Sequence, residues 1–252
     1  MRVTQTPVLL LHGARASRTM WRAQLDALAR AGRPALAVDL PGHGARRAER
    51  FSVDGALAVI DDAVGAIGGR AVIVGLSLGG YLGLAHAARR PDQVAALVAA
   101  GCMTLPGRRL TDAWRLLAQG IALLPDRGAR LNEATARRFV PPAGMAALEE
   151  GGFALDVMVD LLTEMKRLDP VADLTCAACP VWLVSGRWDH FRLDERAYRK
   201  ARPDARVVVV PGATHLVTLV RPVQFTRVVL EAAAEADRLA LSASGQGDTG
   251  RA

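Results

Sequence analysis

The run Val72-Ile73-Val74-Gly75-Leu76-Ser77-Leu78-Gly79-Gly80-Tyr81 constrains this chain more than any other stretch. An apolar, β-branched segment reads as a buried strand, and it meets a serine at G-x-S-x-G spacing before a helical pattern begins. Gly75 and Gly79 lack the Cβ atoms that would hold strand and helix apart, so the serine backbone can take a sharp, strained turn. Such a turn lifts the Ser77 hydroxyl above the carboxyl ends of parallel strands. It also leaves the Leu78 amide at a helix N-terminus, where the dipole favours a developing negative charge. A Gly-rich strand-to-helix turn in any α/β protein would carry the same letters, so the surroundings decide.

Those surroundings alternate between strand and helix. Val8-Leu9-Leu10-Leu11 is a short apolar run of the kind buried on both faces of a parallel sheet, and it ends at His12-Gly13-Ala14. A helix fits Met20 to Ala31, a strand Ala35 to Leu40, and a helix Ser52 to Ile67 with Ser52 as its N-cap and Gly68-Gly69 as its stop. The helix after Ser77 runs to Arg90, ahead of Pro91, and Val94 to Ala100 is the next strand. Short connections between alternating elements imply an α/β fold with a doubly wound, mostly parallel sheet and right-handed crossovers.

The rhythm breaks between about Met103 and Asp169, where helical patches at Asp112–Leu124, Glu133–Phe139 and Phe153–Leu168 are separated by Pro and Gly breaks. An insertion placed after a strand that ends near the nucleophile reads as a helical lid, which would exclude water and select substrates. Alternation resumes at Val181–Ser185, with a helix from Asp194 to Ala201, a strand Val207–Val210, and a last helix from Pro222 to Leu241. The expected organisation is a core of residues 1–102 and 170–241, a lid of 103–169, and a small, polar, disordered tail of 242–252.

A length of 252 residues with 51% hydrophobic content suits one such domain with a subdomain. A net charge of +7 raises the question of nucleic acid. The positive charge is nearly all arginine, dispersed over helices and loops, and 4% aromatic content supplies no stacking surface, so no nucleic-acid partner is expected. No stretch of about 18 uncharged apolar residues occurs and no signal-peptide pattern precedes Pro7, which reads as a soluble, cytoplasmic protein with no membrane partner. Three cysteines make an odd count that argues against a disulfide framework. Cys176-Ala-Ala-Cys179 has redox or zinc spacing but lacks a second pair, and it precedes a strand, so it reads as small apolar residues near a sheet edge. No metal site, dinucleotide fingerprint or phosphate-loop lysine appears, so no cofactor is expected.

A serine nucleophile needs a base and a group to orient that base. Asp189, in Gly186-Arg187-Trp188-Asp189-His190, and His215, in Gly212-Ala213-Thr214-His215, each follow the carboxyl end of a strand, the edge that carries Ser77. The catalytic order is then Ser77, Asp189, His215, with the Ala14 and Leu78 amides as oxyanion donors. His12 and the Asp39–His43 pair admit catalytic or metal readings, but hydrogen bonds that tie their loops together account for them more simply.

Together, His12-Gly13, Asp39-Leu40-Pro41-Gly42-His43-Gly44, Gly75-Leu76-Ser77-Leu78-Gly79-Gly80, Gly186-Arg187-Trp188-Asp189 and Gly212-Ala213-Thr214-His215 resemble the α/β-hydrolase superfamily. The likeness is to its single-domain serine esterase, enol-lactonase and cofactor-free haloperoxidase branch, and spans about residues 8 to 240. It implies a serine hydrolase that cleaves a small or medium acyl ester, thioester or lactone through an acyl-enzyme. Relatives with dehalogenase or epoxide-hydrolase activity place a carboxylate at the elbow, whereas Ser77 implies acyl chemistry. Two alternatives remain open: a triad-dependent lyase of the menaquinone-pathway type, and a non-catalytic binding protein on a hydrolase frame. Members usually carry an antiparallel hairpin before the first strand seen here, and Met1 to Pro7 is too short to supply one. That leaves a sheet edge to be covered or used for pairing, as a monomer or a homodimer. If the loops after Asp39 and at the start of the lid line the pocket mouth, Arg46 and Arg47, or Arg108 and Arg109, could clamp a substrate carboxylate. Solvated surface charge is the plainer reading of all four.

Overall fold

A computed structural model describes residues 5–126 and 128–247, without the side chains of Arg108, Leu110 and residues 244–247. Six strands form one sheet: β1 (Val8–Leu11), β2 (Ala35–Val38), β3 (Ala71–Leu76), β4 (Val94–Ala100), β5 (Val181–Gly186) and β6 (Arg206–Val210). Their order is β2-β1-β3-β4-β5-β6, with every neighbouring pair parallel. The chain leaves β1 toward β2 on one side and returns to β3 on the other. The switch point of the sheet therefore lies between β1 and β3, where loops diverge and open a crevice at the carboxyl ends.

Alternation along the strands sends side chains to two cores. Leu9, Leu11 and Ile73 face one core and Val8, Leu10, Val72 and Val74 the other, and all are fully buried. Helices α2 (Val53–Ala66) and α3 (Leu78–Arg89) cover the first face, and α1 (Arg22–Arg30) and α11 (Pro222–Gly247) the second. Local chemistry sets the ends of α2. Ser52 Oγ accepts from Gly55 N at 3.1 Å, and Gly69 N donates to Val64 O at 2.8 Å across glycines with φ of 113° and 80°.

Between β4 and β5 run α4 (Arg108–Ala122), α5 (Ala129–Phe139), α6 (Pro142–Gly151), α7 (Met158–Met165) and α8 (Pro170–Cys176). The sequence reading found three helical patches in the inserted segment. Helix α6 escaped it because Pro141-Pro142 looks like a break, whereas Pro142 occupies the first helical turn, where its missing N–H costs nothing. Helix α8 starts the same way, on Pro170, behind an Asp169 cap that accepts from Ala172 N. The expected helix from Met20 begins instead as a 3₁₀ turn at Arg18–Trp21, capped by Ser17. After β5 come α9 (Glu195–Ala201) and, beyond β6, the short α10 (Val217–Val220).

One boundary is corrected. Residues 242–247 continue α11 rather than opening a disordered tail, because neither Gly nor Pro interrupts the chain before Gly245. Residues 248–252 of that expected tail lie outside the described residues. Cys176 and Cys179 are free thiols at the end of α8, one exposed and one buried.

Candidate active site

Ser77 directly follows β3 and holds φ 53°, ψ −112°, a region that residues with side chains rarely occupy. The flanking glycines make this possible. A Cβ on Gly75 would stand 2.1 Å from Gly79 O, and one on Gly79 would stand 2.2 Å from Leu11 O. The turn is pinned to the next strand by Ser77 N donating to Ala100 O at 2.7 Å, and the helix closes with Tyr81 N donating to Ser77 O at 3.0 Å. Leu78 is the first residue of α3, where an amide has no partner within its own helix.

The loop after β1 comes against this turn from the neighbouring strand. A Cβ on Gly13 would lie 3.6 Å from Ser77 Cβ, so the Gly13-Ala14 backbone passes close to the serine. His12 holds that loop. Leu40 N donates to its Nε2 at 3.0 Å, so its Nδ1 carries the proton and donates to Gly13 O at 2.9 Å. Burial, with the His43 ring 4.8 Å away, pushes the His12 pKa down to about 3, and the ring is neutral. His43 repeats the arrangement, accepting from Arg15 N and bonding Pro41 O. Asp39 accepts from Arg18 N at 2.7 Å and Ala45 N at 3.0 Å, and Gly44, at φ 50°, leaves room for its carboxylate. These residues tie loops together, as the sequence suggests.

Asp189 and His215 follow β5 and β6 and meet, with His215 Nδ1 3.0 Å from Asp189 Oδ1. The Asp189 side chain is fully buried. Burial by itself would raise its pKa, but the hydrogen bond and charge of His215, together with the Phe191 amide at 2.8 Å, hold it below the usual carboxylate range. An ionised carboxylate only accepts, so the His215 Nδ1 donates and its Nε2 is the ring nitrogen not bonded to Asp189. Gly101, after β4, brings the imidazole and the serine turn together. It follows Ala100, which bonds Ser77, and a Cβ on it would sit 2.9 Å from His215 Cε1. Among the described residues the His215–Asp189 bond is closed, and no hydrogen bond joins Ser77 Oγ to His215.

Sequence patterning does not single out Phe191, Trp114 or Tyr198. Phe191 lies 4.6 Å from the His215 ring, and Trp114 of α4 meets Phe191 edge-on at 4.9 Å, so the inserted segment reaches the ring that packs on the imidazole. His190 is 5.2 Å from His215 but makes no bond to Asp189. The root of the insertion is tied to the acid loop. Asp194 N donates to Met103 O at 3.0 Å and Leu105 N donates to Asp194 Oδ2 at 2.7 Å. Two buried tyrosines, Tyr81 and Tyr198, donate to Thr104 O at 2.5 Å and to Cys102 O at 2.6 Å. Tyr81 was visible in principle, because i+4 from the elbow serine is the next turn of the same helix face.

Residues 8–228 match the Alpha/beta hydrolase family, which takes in the strands and turns that carry Ser77, Asp189 and His215.

The chain belongs to the α/β-hydrolase family.

Among curated proteins it is similar to a pimeloyl-[acyl-carrier protein] methyl ester esterase of Neisseria meningitidis serogroup C, 44% identical over 108 residues, 42% of this chain and 39% of that protein. A serogroup A counterpart is 43% identical over 106 residues, 41% of this chain and 31% of that protein. The chain thus spans well under half the length of these relatives. Among solved structures, an E-2-(acetamidomethylene)succinate hydrolase superposes with a TM-score of 0.74 at 24% identity, covering 90% of this chain and 91% of that one. The enol-lactonase of Burkholderia xenovorans LB400 does so at 0.75 and 19%, covering 90% of each. At these identities the likeness is one of fold. Among the described residues the sheet is parallel throughout, with β2 and β6 as its edges.

The arginines expected to clamp a carboxylate fare differently. Arg46 already has a carboxylate partner, its Nη1 donating to both Glu49 oxygens at 3.1 and 2.8 Å. Arg47 donates to Phe153 O. Arg109 is exposed, and the Arg108 side chain lies outside the described residues.

Proposed function

We propose that the protein is a serine hydrolase that cleaves carboxylic esters, thioesters or lactones of small or medium acyl groups. The observation that carries the reading is the bonded Asp189–His215 pair after β5 and β6, at the same end of the sheet as a serine held at φ 53° after β3. His215 Nε2 takes the Ser77 Oγ proton as oxygen attacks the acyl carbon, and Asp189 stabilises the imidazolium without itself taking the proton. The Ala14 and Leu78 amides receive the oxyanion, each donor being worth about 3 kcal/mol in transition-state stabilisation. The alcohol or thiol leaves with the proton from His215, giving an acyl-Ser77 ester. Water attacks that ester by the same route in reverse, and the acid and the free serine are restored.

The inserted helices act as a lid, since Trp114 reaches the aromatic cover of His215. The methyl ester esterases matched above favour an ester of a carboxylic acyl chain as substrate. A fluorophosphonate probe should label wild type at Ser77 and leave Ser77→Ala unlabelled. Ester turnover by wild type should be lost in the same variant. A folded wild-type protein that resists the probe, or ester turnover that survives Ser77→Ala, would overturn the reading.

A further inference from the structure

Arg15 is the residue directly after Ala14, and several observations separate it from the other arginines. Its φ is 64°, and Ser77 is the only other non-glycine residue with positive φ among the described residues. Two contacts hold that backbone in place, with Arg15 N donating to His43 Nε2 at 3.3 Å and Arg15 O accepting from Ala154 N at 3.0 Å. Glycine or asparagine would take this conformation with less strain, and the two contacts hold Arg15 in it.

The guanidinium has no carboxylate partner among the described residues, whereas Arg18, on the same loop, pairs with Asp39. Arg15 keeps solvent access, yet the protein around it lowers its basicity through desolvation, with no carboxylate to offset the loss. The Arg15 backbone adjoins the nucleophile turn, because two residues earlier Gly13 packs against Ser77. An exposed cation without a carboxylate partner at that place is open to an anionic group on a bound substrate.

We propose that Arg15 receives a carboxylate carried by the substrate, so that the preferred esters bear a negative charge away from the bond that is cleaved. This rests on the hydrolase reading and narrows its substrate class. A planar guanidinium offers two parallel N–H donors to a carboxylate, and a substrate anion would supply the partner that the protein does not.

The test compares wild type, Arg15→Asn and Arg15→Lys on three esters: methyl butanoate, monomethyl glutarate with its charge on the acyl side, and the butanoyl ester of glycolate with its charge on the alcohol side. Asparagine is chosen because it tolerates the left-handed backbone, and thermal melting checks the fold. The expected result is a kcat/KM ratio of charged to neutral ester of about tenfold or more in wild type, carried mainly by KM. That ratio should fall to near one in Arg15→Asn and stand between in Arg15→Lys, whose ammonium lacks the planar fork. Whichever charged ester carries the preference identifies the half of the substrate that Arg15 holds. A wild-type ratio of one or less for both charged esters, or a ratio untouched by Arg15→Asn, overturns the inference while the hydrolase reading stands. If wild type cleaves no ester and resists the fluorophosphonate, the hydrolase reading fails, and glutarate binding by calorimetry then decides for Arg15. Binding that Arg15→Asn abolishes supports the anion site, and no binding, or equal binding by both proteins, overturns it.

Discussion

The buried histidines His12 and His43 are disfavoured in their charged form by burial. His12 Nε2 must accept from Leu40 N, and a proton there would set two donors against each other inside the core. Its folded pKa of about 3 lies below the unfolded value of about 6.5, so its contribution to stability is complete above pH 6.5 and lost as pH falls toward 3. Between pH 7 and pH 5 carboxylates titrate little, and His12 alone should remove on the order of 2 kcal/mol. His43 and His86, also lowered by burial, act in the same direction. Urea denaturation at the two pH values should show this loss, and His12→Gln should show a shallower one. Asp189 has a different part. Under the proposed hydrolase function, Asp189→Asn should keep the fold but allow the wrong His215 tautomer, and kcat on a chromogenic ester should fall by on the order of 10⁴-fold.

At the scale of elements, glycines of identical chemistry have opposite sensitivities. Gly79→Ala drives a methyl into the Leu11 carbonyl, a backbone atom that cannot turn aside, and should cost about 3 kcal/mol or prevent folding. Gly65→Ala, in α2 with nothing within 4 Å, should stabilise by roughly 0.5–1 kcal/mol. Denaturant midpoints of the two variants should therefore move in opposite directions. The G-x-S-x-G spacing shows why Gly79 matters, since the elbow glycine is legible from its neighbours in the chain. Sequence also placed the six strands and the cap of α2, because apolar runs, a serine cap and glycine stops act over a few residues. It missed α6 because a proline pair reads alike as helix breaker or helix start, and only packing of Met145 and Leu148 into the second core selects between them.

The whole molecule depends on how the insertion between β4 and β5 is joined to the core. The buried bonds of Asp194, Tyr81 and Tyr198 hold its root, while surface pairs such as Arg50–Asp160 and Arg167–Asp54 span the outside. The exposed pairs are screened by solvent, so Arg167→Ala and 0.5 M salt should leave the melting midpoint within experimental scatter. Asp194→Ala should instead free Leu105 N, lower stability by about 2 kcal/mol and speed proteolysis within residues 103–169.

From the order of its residues alone, the chain determined the strand–helix alternation, the serine elbow and the succession Ser77, Asp189, His215. Those follow from steric and hydrogen-bonding rules that operate between near neighbours. Tertiary structure decided which charges are already neutralised, with Arg46 taken by Glu49 and Arg15 left without a carboxylate among the described residues. It also decided that Gly101 admits the His215 ring and that Phe191, backed by Trp114, packs on it. Pairing and packing depend on distances between residues far apart in the chain, and such distances exist only once the sheet has formed.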